Sequence, residues 1–305
     1  MFAIKSTLAR SCLVGALLLI SQHNAGEAET WLPPDFNPCS YKIVFSEDFS
    51  NFRVAAHKIG NARWTAHTPW NGDFGDAQFV DPQPNDPFTV SNRGLEITAR
   101  KNPDGHWTSG LIAAADHDGH GFGTRFGYFE ARIKMPPGPG TWPAFWLSSL
   151  KPVQDPSASV EIDAVEYYGH LTSSYQVAIH VWYGKSKEAK SRGALHVIEV
   201  PKDSLVNDFH DYGVDIQPKT ITFYFDRKPV WEVQTPEELT FSEYPLLDLA
   251  LGSGFPIQNT INPSRLQIQY VHIFRYQPET GQDRCRFHAA YGVGSVKNLA
   301  GEHGR

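Results

Sequence analysis

The sequence predicts an all-β fold, a sandwich or barrel of antiparallel strands. Segments in which apolar and polar residues alternate recur along the chain, as in residues 93–101 (RGLEITARK), where Leu95, Ile97 and Ala99 share one face. The 25 glycines and 22 prolines supply turns between such segments. No window of comparable length shows a convincing helical period, and many strands with almost no helix indicate two packed sheets or a closed barrel.

Four further segments repeat the two-residue period and are expected to be strands. They are residues 127–135 (GYFEARIKM), 175–183 (YQVAIHVWY), 220–233 (TITFYFDRKPVWEV) and 265–276 (RLQIQYVHIFRY). The third of them holds two strands joined by a turn near Asp226–Pro229. Helical turns are expected at most in 150–159 (LKPVQDPSAS) and 235–240 (TPEELT).

The N-terminus has the pattern of a secretory signal peptide over residues 1–28. Lys5 and Arg10 precede an apolar run at 12–20, and small residues favour cleavage after Ala28. That run is too short to anchor the protein in a bilayer. We therefore expect a secreted or periplasmic protein with no membrane contact once the signal is removed.

The rest of the chain is expected to form one domain over residues 29–280 and a loosely ordered tail over 281–305. Two of the 27 basic and one of the 33 acidic side chains lie in 1–28, which leaves 25 basic and 32 acidic groups, or a net charge of −7. This balance argues against a nucleic acid or an anionic membrane as partner. A monomer is expected.

Two cysteines remain after removal of residues 1–28, one near each end of the expected domain. In an oxidising compartment Cys39 and Cys285 could form a disulfide. Two unrelated free thiols are the alternative, since the sequence alone does not show the Cα separation that a disulfide requires.

Three carboxylates occupy the otherwise apolar and aromatic segment 160–169 (VEIDAVEYYG). Glu161 and Asp163 are two residues apart and share a strand face. Simple alternation would turn Glu166 toward the core, where an unpaired charge is costly. A β-bulge at Ala164-Val165 would return Glu166 to the face of the other two acids.

Three acids on one face repel one another, so at least one of them should hold a proton near neutral pH. A carboxylate beside a carboxylic acid is the pair that a retaining glycosidase uses. A solvated polar face and a calcium site are the alternatives. His180, on the next predicted strand and the same face, could reach Asp163 and adjust its ionisation.

Aromatic residues near the acids are candidates for sugar binding. Trp142 and Trp146 share a face in 136–147 (PPGPGTWPAFWL), Trp182 shares the face of His180, and Phe255 follows a glycine-rich turn. A place in the core is an equal alternative for Trp146. The loop 114–123 (AADHDGHGFG) contains Asp116, His117, Asp118 and His120, and we expect it to form the rim of a cleft rather than to bind a metal.

Three ordered segments together resemble glycoside hydrolase family 16. They are GYFEARIKMPPGPGTWPAFWL, EIDAVEYYG and FHDYGVDIQPKTITFYFD, and the resemblance covers roughly residues 41–276. The extra residue between the second and third acids is similar to the branch of laminarinases and bacterial exopolysaccharide glycanases. The resemblance implies a β-jelly-roll sandwich of two antiparallel sheets, as in concanavalin-like proteins.

The same resemblance implies roles for individual residues. Glu161 would be the nucleophile and Glu166 the general acid/base, with Asp163 orienting Glu161. His180 matches the histidine that the family carries on the following strand, and Trp142 matches a sugar-stacking tryptophan.

Three positions depart from the family pattern. Gln269 stands where many members have an aspartate that helps to hold calcium, which argues against a structural calcium ion, and we expect no metal or other cofactor. Phe255 and Ile216 stand where tryptophan is common; the first could change a cleft contact, and the second could be a change in core packing.

The expected function is that of a secreted retaining endo-β-glycanase. Its polysaccharide substrate would be a β-1,3-glucan, a mixed β-1,3-1,4-glucan or a bacterial exopolysaccharide. A transglycosylase on the same scaffold and a non-catalytic, lectin-like glycan-binding protein are the alternatives.

Overall fold

The computed structural model describes residues 31–70, 72–184 and 191–278. From Leu32 onward they belong to one compact unit. The predicted signal peptide (1–28) and tail (281–305) lie outside the described residues. Within these ranges no helix is long and apolar enough to span a membrane.

The described residues are almost entirely β-structure. The strands are β1 (Tyr41–Glu47), β2 (Val54–Ala55), β3 (Trp64–Thr65), β4 (Ala77–Phe79), β5 (Phe88–Ser91), β6 (Gly94–Lys101), β7 (Trp107–Ser109), β8 (Leu111–Ala113), β9 (Gly127–Lys134), β10 (Thr141–Ser149), β11 (Ser159–Glu166), β12 (Ser174–Trp182), β13 (Arg192–Glu199), β14 (His210–Ile216), β15 (Thr220–Phe225), β16 (Lys228–Gln234), β17 (Glu243–Leu251) and β18 (Ser264–Tyr276). A 3-10 turn (Pro38–Ser40) and a one-turn helix α1 (Ser204–Asn207) complete the elements. The predicted all-β class is confirmed.

The strands form two sheets that pack face to face. The eight-stranded sheet has the order β13-β12-β11-β10-β17-β8-β3-β2, and the ten-stranded sheet has the order β16-β15-β14-β9-β18-β6-β7-β4, with β1 added on β18 and β5 on β6. Pairing is antiparallel except for two short parallel pairs, β2 with β3 and β4 with β7. The expected sandwich is therefore correct, although its sheets are not purely antiparallel.

All five segments of alternating polarity are strands in the structure: β6, β9, β12, the pair β15 and β16, and β18. Their inward side chains join one continuous core that includes Ile97, Phe129, Val177 and Ile273. Residues 150–159 and 235–240 form turns and extended chain, and the one short helix lies at α1 instead. Prolines interrupt both segments, which removes the backbone donors that a helix needs.

Three expectations from the sequence concern single residues of the fold, namely Ile216, Cys39 and Gln269. Ile216 is fully buried in the core, so its replacement of tryptophan is a change in packing. Cys39 is disulfide-bonded, whereas Cys285 lies outside the described residues. The side chain of Gln269 accepts a hydrogen bond from Nε of Arg132 (2.9 Å), and the same guanidinium pairs with Asp211 at 3.0 Å. A resident guanidinium opposes a second cation, so these residues do not fit a structural calcium ion.

Glu243, the first residue of β17, is a buried acid with few partners. Its Oε1 accepts a hydrogen bond from Ser149 Oγ at 3.0 Å, and its Oε2 has no hydrogen-bond partner. Burial raises the pKa of Glu243 to about 8. The folded protein thus holds a proton there that the unfolded chain releases above its ordinary pKa of 4.5.

We expect Glu243→Gln to remove a pH-dependent cost of folding. In the wild-type protein this group lowers the free energy of unfolding as the pH rises from about 4.5 to about 8, because the folded state binds more protons. The variant should therefore exceed wild type at pH 9 by an amount on the order of a few kcal/mol, and the gap should close near pH 4. Urea unfolding at both pH values measures this, with the exposed Glu199→Gln as control. A gap that does not change with pH would show that Glu243 is ionised in the folded state.

Candidate active site

The three acids lie together because β11 contains a bulge. On β10, Ala144 pairs with Glu166 and Phe145 with Val165, but the next residue, Trp146, pairs with Asp163. The register to β12 shifts over the same interval. The extra residue places Glu166 on the face that Glu161 and Asp163 occupy, as the sequence predicted.

Neighbouring strands direct polar and aromatic side chains onto the same face. His180 of β12 lies opposite Glu161, and Ala144 of β10 lies between Glu166 and Asp248 of β17. The acids therefore lie in the interior of the eight-stranded sheet, on the third strand from the β13 edge, where pairing on both sides holds their positions.

Two indole groups hold the outer acids. Trp182 donates from Nε1 to Oε2 of Glu161 at 3.1 Å, and Trp142 donates from Nε1 to Oε1 of Glu166 at 3.0 Å. Tyr168 lies 3.4 Å from the same Glu166 oxygen. The predicted sugar-binding tryptophans thus also orient the two carboxyl groups, which alternation in the sequence does not show.

Burial and mutual repulsion raise the pKa of two of the acids. Burial is the main cause at Glu161, where the pKa rises to about 7 against the effect of the Trp182 bond, and the charge of Glu166 raises it further. Asp163 is 4 % exposed. Burial, and then the charges of Glu161 and Glu166, raise its pKa well above the ordinary value. The cluster therefore holds at least one proton at neutral pH.

His180 contacts Asp163, as predicted. Its Nε2 lies 3.5 Å from Oδ2 of Asp163, and burial lowers the pKa of the imidazole. A neutral imidazole facing a protonated carboxyl group can accept its proton in a hydrogen bond. Gly193 on β13 lies directly opposite His180, and a Cβ there would come within 2.7 Å of His180 Nδ1. Glycine at this position leaves room for the ring.

Asp248 is a site residue that the sequence analysis did not include. It is fully buried, accepts a hydrogen bond from Nε1 of Trp146 at 2.8 Å, and accepts another from the Ala250 amide. Burial raises its pKa to about 8, and its charge contributes to the raised pKa of Asp163. The sequence signal that could have identified Asp248 is the presence of an acid within the apolar run of β17, where a charge is costly to bury. Trp146 is 5 % exposed, so it positions Asp248 and offers little surface to a sugar, which favours the core alternative over the sugar contact.

Aromatic side chains lie on both sides of the acids. Beside Glu166, the rings of Trp142 and Tyr168 are nearly parallel (10°, centroids 6.3 Å apart), and Phe255, 40 % exposed, packs against Tyr168. Beside Glu161, Trp182 is 44 % exposed. It lines a pocket of about 340 Å³ together with Trp70, Tyr244 and Glu161. The acids thus lie between two apolar surfaces that suit the faces of sugar rings.

Among the residues named from the sequence, two sets of side chains place potential metal-ligand atoms close together. Single ligand atoms of Glu161, Asp163 and His180 lie within 4.8 Å of one another, as do those of Asp116, Asp118 and His120. Oδ1 of Asp116 accepts hydrogen bonds from the amides of Asp118 and His120, so it stabilises its own turn. The loop also supplies His117 and Asp118 to a pocket of about 540 Å³ that shares Trp70 with the first, which agrees with a place at the cleft rim.

A comparison with known families identifies the family to which the chain belongs. Residues 78–265 match the family model described as glycosyl hydrolases family 16, and this range contains all three bulged-strand acids and His180. The chain belongs to glycosyl hydrolases family 16. This agrees with the resemblance on which the roles of Glu161 and Glu166 were expected.

Several known glycanases are similar to the chain in sequence or in fold. The chain is 30 % identical over 198 residues to the endo-1,3-1,4-beta-glycanase ExsH of Rhizobium meliloti and 27 % identical over 254 residues to EglC of the same organism, covering 62 % and 76 % of this chain. It spans 39 % and 51 % of those two proteins. The catalytic domain of an endo-1,3-beta-glucanase (laminarinase) from Thermotoga petrophila superposes with a TM-score of 0.59 at 24 % identity, over 77 % of this chain and 98 % of that one, which confirms the fold.

Proposed function

We propose that this protein is a secreted or periplasmic endo-β-glycanase that hydrolyses its substrate with retention of anomeric configuration. The observation that carries the proposal is the bulge that places Glu161 and Glu166 on one face with Asp163 between them. Each outer acid has its own indole donor, and the inner acid is buried, which raises its pKa well above the ordinary value. A solvated polar face would not need this arrangement.

In the proposed reaction Glu161 attacks the anomeric carbon and forms a glycosyl–enzyme bond as the glycosidic C–O bond breaks. Glu166 donates its proton to the departing oxygen, and then accepts a proton from the water that cleaves the intermediate. Burial raises the pKa of Asp163 well above its ordinary value, which limits the negative charge next to Glu161. As the substrate gains positive charge, ionised Glu161 becomes more favourable, so its raised pKa does not prevent attack.

The proposed substrate is a β-1,3-glucan or a mixed β-1,3-1,4-glucan. A bacterial exopolysaccharide is the alternative substrate. ExsH and EglC are endo-1,3-1,4-beta-glycanases, which supports these linkages. Aromatic surfaces on both sides of the acids, at Trp142 and Phe255 and at Trp182, support binding of sugars on both sides of the cleaved bond. Such binding favours cleavage within a chain over removal of end sugars.

We expect the purified protein to release reducing ends from laminarin, lichenan or a bacterial exopolysaccharide, with a rapid fall in viscosity. Oligosaccharide products are separated by chromatography, and their initial anomeric form is read by NMR, where retention is expected. Products longer than the added substrate would show that transglycosylation dominates. Binding to these glycans without any release of reducing ends would contradict the proposal and favour the lectin-like alternative.

A further inference from the structure

Three loops that follow the short strands β2, β3 and β4 bring two histidines and an aspartate together. His57, His67 and Asp81 each lie two residues beyond the end of a strand, namely β2, β3 and β4. No short sequence motif connects them. His57 and His67 meet because β2 and β3 pair side by side, and Asp81 reaches them from β4, at the edge of the ten-stranded sheet. We call these three residues the histidine cluster.

The separations in the histidine cluster fit a transition-metal ion. Oδ1 of Asp81 lies 3.0 Å from Nε2 of His67 and 3.8 Å from Nε2 of His57, and one ligand atom from each residue lies within 4.8 Å of the others. A tetrahedral ion with bonds of about 2.0–2.1 Å spaces its ligand atoms by about 3.4 Å. The two distances lie on either side of that value. The His57 ring stacks on the His67 ring (centroids 4.5 Å apart, 23° between planes), and because the His57 side chain is 70 % exposed it has room to turn its Nε2 toward an ion.

A carboxylate behind His67 supports the same interpretation. Oδ1 of Asp73 lies 3.4 Å from Nδ1 of His67, whose side chain is only 16 % exposed. A carboxylate that accepts a hydrogen bond from Nδ1–H leaves the lone pair on Nε2 directed at the metal, which is the usual support of a metal-bound histidine. The competing interpretation is an imidazolium ion between two carboxylates, with no metal.

We propose that His57, His67 and Asp81 bind a Zn²⁺ ion, with water in the fourth position, and that the ion fastens the loop carrying Trp70 beside the active-site pocket. Two imidazoles and one carboxylate suit zinc, whereas calcium and magnesium prefer all-oxygen ligands. His57, His67 and Asp73 line the pocket of about 540 Å³ that shares Pro69 and Trp70 with the pocket at Glu161. The proposal rests on these contacts and is independent of the proposed glycanase activity.

The test is a zinc titration of the full-length protein after treatment with a chelator. Isothermal titration calorimetry should show one site, and differential scanning calorimetry should show a higher melting temperature with zinc, because the ion binds the folded state. His67→Ala and Asp81→Asn should each weaken binding by about 10- to 100-fold, and Asp73→Asn by about tenfold. Circular dichroism without metal verifies that the variants fold, and Asp81→Asn is nearly isosteric.

Two controls locate the ion. His106→Ala removes an exposed histidine outside the cluster and should leave zinc affinity unchanged. His120→Ala tests the neighbouring Asp116, Asp118 and His120 group and should also leave it unchanged. Equal zinc affinity of wild type, His67→Ala and Asp81→Asn would overturn the proposal, as would loss of binding in His120→Ala alone. A wild-type protein that binds no zinc would also overturn the proposal and would favour the imidazolium interpretation.

Discussion

Glu161→Ala is expected to lower kcat on the polysaccharide by about 10⁴-fold or more, because no other group can form the covalent intermediate. The vacated space beside Trp182 should admit azide, which attacks the anomeric carbon from the side that the carboxylate occupied. The expected product is a glycosyl azide of inverted configuration, and its formation is followed by NMR with an activated aryl glycoside.

Glu199→Ala is the matched control for this experiment. Glu199 is an exposed glutamate at the end of β13 in the same sheet, so its loss should leave kcat near the wild-type value. If azide restores nothing in Glu161→Ala while Glu166→Ala keeps its activity, the assigned roles are wrong.

Glu166→Gln is expected to lower kcat/KM on polysaccharide by about 10²- to 10⁴-fold, the usual contribution of a general acid. Glutamine can still accept the hydrogen bond from Trp142, so the local structure should persist. It cannot protonate the leaving oxygen. An aryl glycoside whose phenolate leaves without protonation should therefore form the intermediate at a rate close to that of wild type.

Measuring the two steps of the reaction separately distinguishes loss of the general acid/base from a general loss of structure. With the activated aryl glycoside, Glu166→Gln should show a burst of phenolate followed by slow turnover, because the water that cleaves the intermediate lacks its base. Azide should accelerate that slow phase and give a product of retained configuration. Equal loss on activated and unactivated substrates, with no burst, would contradict the role of Glu166.

Much of the site could be predicted from local sequence because its geometry is local. The two-residue period of a strand places Glu161 and Asp163 together, and the cost of burying a charge makes a bulge before Glu166 the favourable solution. The structure confirms the bulge and the contact of His180 with Asp163. The family model confirms the resemblance that those segments carry.

Contacts between distant strands could not be predicted in the same way. The sequence does not indicate that Asp248 accepts from Trp146 across β10 and β17, because that contact depends on the register of two strands about 100 residues apart. The same register decides the choice that the sequence left open for Trp146, whose ring lies in the core. Gly193, which leaves space for His180, would read in the sequence only as a turn residue.

The sequence by itself determined the all-β class, the strand that bears the acids and the bulge within it, because alternation and the cost of buried charge act between near neighbours. Only the tertiary structure decided which side chains hold those acids, which tryptophans face solvent, and that three separate loops join His57, His67 and Asp81. Those outcomes follow from strand order and register, which residues far apart in the chain establish together.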